Sequence, residues 1–297
     1  MVSLVIGLLL AIIASSTYLY SKQAYNAVSE TSQMEESGRF ALNLLARNIQ
    51  SAGYVAVDPE VGEPEPKAIK VFGCDFGMVK PNGAGSISDL DCLTSLPAGT
   101  TQSGSIAMFY QTDAFNTTGA SFQGVDCIGN RPVELPGPTA TSTKTFEVRS
   151  YFFISSSTVS TPNGTTSMGQ LSCVTDSTGS AAPTAFPAQP LIPGIHQMRA
   201  FYLKPTSMAD GAPAQKAYEA SAVEASVVRA SILPITSEWA SIVSVELCVL
   251  TKSIQPSGND TGATVTDCYD NTFTPPANQS YRRFMTTVSL RNRTINK

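Results

Sequence analysis

Six cysteines, Cys74, Cys92, Cys127, Cys173, Cys248 and Cys268, are the residues of this chain best able to do chemistry. None stands in a CxxC or another metal-ligand spacing, which excludes zinc and dithiol redox motifs and leaves the metal and cofactor expectation at none. An even number of cysteines, dispersed through a Ser/Thr/Gly-rich chain, fits disulfides formed in an oxidising compartment. Six cysteines allow 15 connectivities, and the sequence does not choose among them. The nearest-neighbour set (74–92, 127–173, 248–268) would close loops of moderate length, each worth about 2–4 kcal/mol.

Catalytic constellations are missing. His196 is the single histidine, so a His-pair metal site is excluded, and no GxSxG elbow accompanies it. It reads as a structural or surface residue at a strand start. The tracts at 257–262 and 267–271 gather Asp and Asn without EF-hand spacing, so turn chemistry explains them. Arg282, Arg283, Arg291, Arg293 and Lys297 crowd the C-terminal end with no acid among them. Outward charges that solubilise a terminal strand account for this, with an anionic surface or DNA as the sharper alternative. The chain is expected not to be an enzyme.

The elements that must carry these residues fall into two parts. Charged residues are 14% of the 297 and the net charge is -4, which gives no general attraction to nucleic acid. From Met1 to Ser21 there is no charge at all. That is long enough to span a bilayer as a helix, with Tyr18 and Tyr20 near its interfacial end. The apolar run comprises Val2, Leu4, Val5, Ile6, Gly7, Leu8, Leu9, Leu10, Ala11, Ile12 and Ile13. A cleavable signal would need a basic start and a break after it, and neither is present.

Residues 22–52 contain no Pro and a single Gly, so the helix continues. Phe40, Ala41, Leu44, Leu45 and Ile49 recur at helical spacing and predict the face that packs on a sheet. Glu35 precedes Arg39 by four residues, and Gly53 supplies a stop. One helix of about 75–80 Å results, apolar all round at first and then amphipathic. A bitopic anchor with a helical stalk would look similar. A coiled coil fits less well, because no heptad holds through residues 22–36.

Beyond Gly53 the period changes. Strands are predicted at Ala68–Val71, Ser105–Gln111, Thr145–Ile154, Gln197–Leu203, Ser226–Leu233, Ser241–Leu250 and Arg282–Leu290. In SIVSVELCVL, Val243, Val245, Leu247 and Val249 alternate with Ser244, Glu246 and Cys248. In RRFMTTVSL, Phe284, Thr286, Val288 and Leu290 share a face. Such alternation predicts an α+β fold, an antiparallel sheet covered on one side by the helix. The tracts 55–67, 81–104, 112–144, 155–194 and 252–280 read as long loops.

The segment MVSLVIGLLLAIIA with ESGRFALNLLARNIQSAGY resembles the N-terminal helix of PilW-type minor pilins of type IV pili. GIHQMRAFYL, EWASIVSVELCVLTKS and YRRFMTTVSLRNR are similar to the C-terminal half of the same family, while residues 55–190 match loosely. The resemblance implies a type IV pilin fold, with a pilin helix over 1–53 (1–21 in membrane or filament core, 22–53 amphipathic) and a β-rich domain over 54–297. It implies an inner-membrane subunit with a periplasmic domain, which then enters an extracellular pilus by packing its helix with those of other pilins. Gly7, Ala11, Ala14, Ser15 and Ser16 would let neighbouring helices approach closely.

A minor subunit for pilus initiation or the tip is expected, serving motility, adhesion or DNA uptake. The alternatives are a main filament subunit, a minor pseudopilin of type II secretion, or an adhesin or DNA receptor with a surface ligand. Prepilins carry a basic leader ending in Gly, then Phe and soon Glu. None of these stands here, so Met1 is expected to lie inside a mature helix, the alternative being a subunit without the processing signal.

Overall fold

The structure, a computed structural model, describes residues 2–54, 71–79, 91–93, 95–96, 101–112, 126–129, 133–135, 145–161, 164–175, 188–205, 215–220, 239, 241–254 and 263–291. A long helix, α1 (Val2–Ser51), is followed, among the described residues, mainly by strands. It ends as its sequence dictates. The Ala52 amide still donates to Asn48 O at 3.0 Å, and Gly53 then turns into the left-handed region at φ 75. Gly53 N donates to Phe109 O at 2.8 Å, which ties the helix end to the β domain.

The strands are β1 (Val71–Cys74), β2 (Met78–Val79), β3 (Asp91–Cys92), β4 (Ser105–Thr112), β5 (Val133–Leu135), β6 (Thr145–Thr161) and β7 (Gly164–Thr175). They continue with β8 (Gln189–Pro193), β9 (Ile195–Pro205), β10 (Gln215–Tyr218), β11 (Ser244–Lys252), β12 (Val265–Thr266), β13 (Thr272–Phe273) and β14 (Tyr281–Ser289). One antiparallel sheet runs β1-β4-β6-β7-β8, with β5 beside β6. A second runs β10-β9-β11-β14, and β12-β13 and β2-β3 form small ribbons.

Alternation decides which way each strand faces. Val245, Leu247 and Val249 on β11 lie opposite Val288, Thr286 and Phe284 on β14, and opposite Tyr202, Ala200 and Met198 on β9. This face meets α1 and the first sheet in one core, which includes Leu45, Ile49, Phe72, Ile106, Met108, Phe152, Leu171 and Trp239. The opposite face carries Cys248 and Leu250, with a second small cluster under the β12-β13 ribbon.

Several expectations need correction. The tract 155–194 is largely strand, because β6 and β7 pair from Ser150↔Thr175 out to Thr161↔Gly164 and β8 pairs β7. The outer half of that hairpin is Ser/Thr-rich on both faces, so it gives no apolar period although Thr suits a strand. Short strands also lie in the other tracts: β3 in 81–104, β5 in 112–144, and β12 and β13 in 252–280. One covered sheet was expected; among the described residues there are two larger antiparallel sheets and two small ribbons. The strand at Ser226–Leu233, residues 68–70, and Arg293 and Lys297 lie outside the described residues.

Candidate functional site

The chemistry-bearing side chains sit apart from one another, and the site with the most to say is the long helix and its seat. Among the described residues no group of His, Cys, Asp and Glu could hold a metal ion. The first part of α1 is long and apolar enough to cross a membrane, and its most apolar window touches nothing of the domain. Leu4 and Leu10 are 77% and 62% exposed, in company with Val2, Val5, Ile6, Leu8, Leu9, Ile12 and Ile13. Gly7 and Ala11 lie on the same bare stretch, and a Cβ at Gly7 would meet no neighbour within 4 Å. Three hydroxyls are satisfied inside the helix: Ser15 donates to Ala11 O at 2.8 Å, and Ser16 and Thr17 both donate to Ile13 O at 2.9 Å. Such a surface asks for an apolar medium or other helices, and no hydroxyl of this turn requires water.

The second part of α1 is docked. Its buried residues are Glu30, Met34, Gly38, Ala41, Leu42, Leu45 and Ile49, spaced by three or four along one stripe. Ala41, Leu45 and Ile49 therefore stand where the packing face was predicted, and Leu44 is half-buried beside them. Phe40 does not. It is 56% exposed, because one residue before Ala41 it turns to the far side of the helix. Packing also starts later than Lys22, since residues 22–26 are exposed and full burial begins at Glu30.

Glu30, Gly38 and Leu42 were missed by the sequence reading. Gly38 looks like a weak helix position, yet a Cβ there would stand 2.4 Å from two ring carbons of Phe284. It is a point of close approach between α1 and β14. Nearby, Glu35 pairs with Arg282 of β14, while its i,i+4 partner Arg39 is 4.0 Å away. Arg283 pairs with Asp270 at 3.0 Å, so two of the terminal arginines have acidic partners.

All six cysteines are joined: Cys74 to Cys92, Cys127 to Cys173 and Cys248 to Cys268. Each bond fastens peripheral chain to a sheet strand. The third fixes the β12-β13 ribbon over β11, and polar bonds reinforce it. Arg199, 8% exposed, donates to Cys268 O at 3.1 Å and pairs with Glu219. Its guanidinium carbon lies 4.2 Å from the centre of the Phe201 ring and 4.4 Å from that of Tyr269. Gln197 accepts from Cys268 N at 2.9 Å, and Tyr269 donates its hydroxyl to Asp75 O at 3.0 Å.

The 267–271 tract is a turn. Asp267 Oδ1 accepts from Tyr269 N at 2.8 Å and Asn271 N at 2.9 Å, and Asp270 takes φ 62. The 257–262 tract lies outside the described residues. His196 stands with its ring edge-on to Tyr281 at 5.3 Å. Burial pushes its pKa down to about 4, the Lys252 charge adds to this, and Asp267 opposes it. The arrangement presents an apolar helix surface that a partner of like character could cover, above a cross-linked domain.

A membrane-apt helix seated on a disulfide-tied antiparallel domain is the arrangement that the resemblance to pilins implies. Residues 151–292, just under half of the chain, are similar to the family described as Type IV Pilus-assembly protein W, PilW. The match runs from within β6 to the end of β14 and so covers the whole second sheet. Among solved structures, a type IV-like pilin from Thermus thermophilus is similar at 9% identity and TM-score 0.37, over 88% of this chain and 96% of that one. At that distance the likeness bears no weight on function. No curated protein matches the chain.

Proposed function

We propose that the chain is a structural subunit of a type IV pilus that assembles through its N-terminal helix, and that it serves as a minor pilin at initiation or at the tip. The observation that carries this is the division of α1. Its apolar start is bare, and its later turns are locked onto a domain matched by the pilus-assembly family.

Before assembly the bare part lies in the inner membrane, with the domain over 54–297 in the periplasm, where the three disulfides form. On assembly it leaves lipid for the helices of other pilins. Both surroundings are apolar, so transfer between them costs little, and small residues such as Gly7 and Ala11 permit close packing. The disulfides and the Arg199 clamp keep the domain folded outside the cell. Catalysis has no part in this role.

Fractionation tests it. The chain should be found in surface filaments sheared from cells, and its deletion should reduce piliation. Retention in the envelope, with normal piliation and failed secretion on deletion, would instead identify a type II pseudopilin. Presence at the abundance of the main subunit would make it the main pilin. Ligand or DNA binding by the β domain would add a receptor role.

A further inference from the structure

Glu30 is the first acidic residue in the chain, and it stands where the helix meets the domain. Residues 17–26 are exposed, Ala27 and Ser29 are half-buried, and Glu30 is 5% exposed. A carboxylate is an unusual occupant of a buried helix face, and it stays there only if its oxygens are satisfied. Its Oε2 accepts from the backbone amide of Ile254 at 2.9 Å. That amide belongs to the segment leaving β11, which is itself held in place. Lys252 N donates to Gly194 O at 2.9 Å, Ser253 N donates to Ser280 O at 2.9 Å, and Ser280 N donates to Ser253 Oγ at 3.0 Å.

We infer that Glu30 is a register pin, the residue that fixes where α1 leaves the domain and at which rotation. Apolar contacts at Met34, Leu42, Leu45 and Ile49 are non-directional and tolerate small slides of one surface on another. A charge-assisted bond to one fixed amide does not. A slip of one residue would offer Ile254 either Ser29 or Thr31. The Thr31 hydroxyl already donates to Ala27 O at 2.8 Å, and neither side chain has the reach of a glutamate. A single buried polar group setting register is the best-attested use of such groups in helix packing. The projecting shaft is therefore residues 2–29, roughly 40 Å at 1.5 Å per residue. Its boundary is the pin and not the end of the uncharged run. The pin sets the height and angle at which the shaft presents the domain, whatever surrounds the shaft, so the inference stands apart from the filament reading.

Hydrogen exchange on the full chain in detergent micelles tests it, comparing wild type with Glu30→Ala and Glu30→Gln. In Glu30→Ala the Ile254 amide and the helix turns over 27–34 should exchange about tenfold faster or more, with amides of β4 and β6 unchanged. Glu30→Gln keeps an acceptor oxygen and should stay within about threefold of wild type at the same amides. A rise spread evenly over the whole domain, or no change at Ile254, would overturn the assignment. So would a Glu30→Gln profile equal to that of Glu30→Ala. If Glu30→Ala does not fold, Glu30→Gln decides alone. Wild-type protection at Ile254 upholds the pin, and selective loss of it refutes the pin.

Discussion

Replacing Gly38 with Ala is the perturbation whose outcome the structure constrains most closely. In an exposed helix this change stabilises by about 1 kcal/mol, because Gly is the more flexible residue when unfolded. Here the new Cβ would stand 2.4 Å from Cδ2 and Cε2 of Phe284 and 3.0 Å from its Cγ. The ring tip could rotate away, but Cγ is close to the backbone of β14 and cannot clear the helix without moving the strand. Overpacking of this kind costs about 2–3 kcal/mol, so Gly38→Ala should destabilise by about 1–2 kcal/mol net.

The sign should reverse once the ring is gone. In a Phe284→Ala background, Gly38→Ala should stabilise by about 1 kcal/mol, giving a coupling of roughly 2–3 kcal/mol in the double-mutant cycle. The assay is urea unfolding of the full chain in detergent micelles. It is followed by Trp239, the single tryptophan, which is buried against Phe72 and Tyr202. Stabilisation by Gly38→Ala in the wild-type background would refute the close approach. A coupling below about 0.5 kcal/mol would do the same.

Other predictions rest on the ribbon and on the buried histidine. Replacing Cys248 and Cys268 by Ser should cost about 3 kcal/mol for a separation of 20 residues, read as a lower urea midpoint. The ribbon should nevertheless keep part of its exchange protection, through Arg199 and Gln197. Arg199→Ala should cost about 2–3 kcal/mol, below the range for a fully buried pair because Glu219 is half exposed and can hydrate. Arg199→Lys should not restore it, since an ammonium cannot stack between Phe201 and Tyr269 while reaching Cys268 O.

The folded pKa of His196 is below its unfolded value of 6.5. The unfolded chain therefore binds more protons between about 6.5 and 4, and stability falls as pH falls through that window. The loss is at most about 3 kcal/mol, and His196→Gln should flatten the pH dependence of the urea midpoint there.

Much of the fold was legible in the sequence, for identifiable reasons. The absence of charge to Ser21, and of Pro through residue 52, left the chain little alternative to one helix. The alternation around Val245, Leu247 and Val249 gave the inward face of β11, and it put Cys248 on the other side, where its disulfide partner is found. What escaped depended on partners distant in sequence. Gly38 has meaning only opposite Phe284, and Glu30 only opposite the Ile254 amide. Phe40 was misplaced because apolarity was weighed above phase, and the burial of Leu42 shows the stripe passing on its other side. The outer β6-β7 hairpin gave no signal because both of its faces are polar. The pairing of six cysteines is a property of the folded chain, which brings each pair within disulfide reach.

The central claim is that the bare helix packs with other pilins, and cross-linking inside the filament tests it most directly. A photoreactive residue at Leu9, which is exposed on the shaft, should capture the N-terminal helix of another pilin in sheared surface filaments. The same residue at Leu45, buried under the domain, should capture only its own chain. Filaments that contain the chain but give no inter-subunit product at Leu9 would contradict assembly through this helix, as would filaments in which the chain is absent.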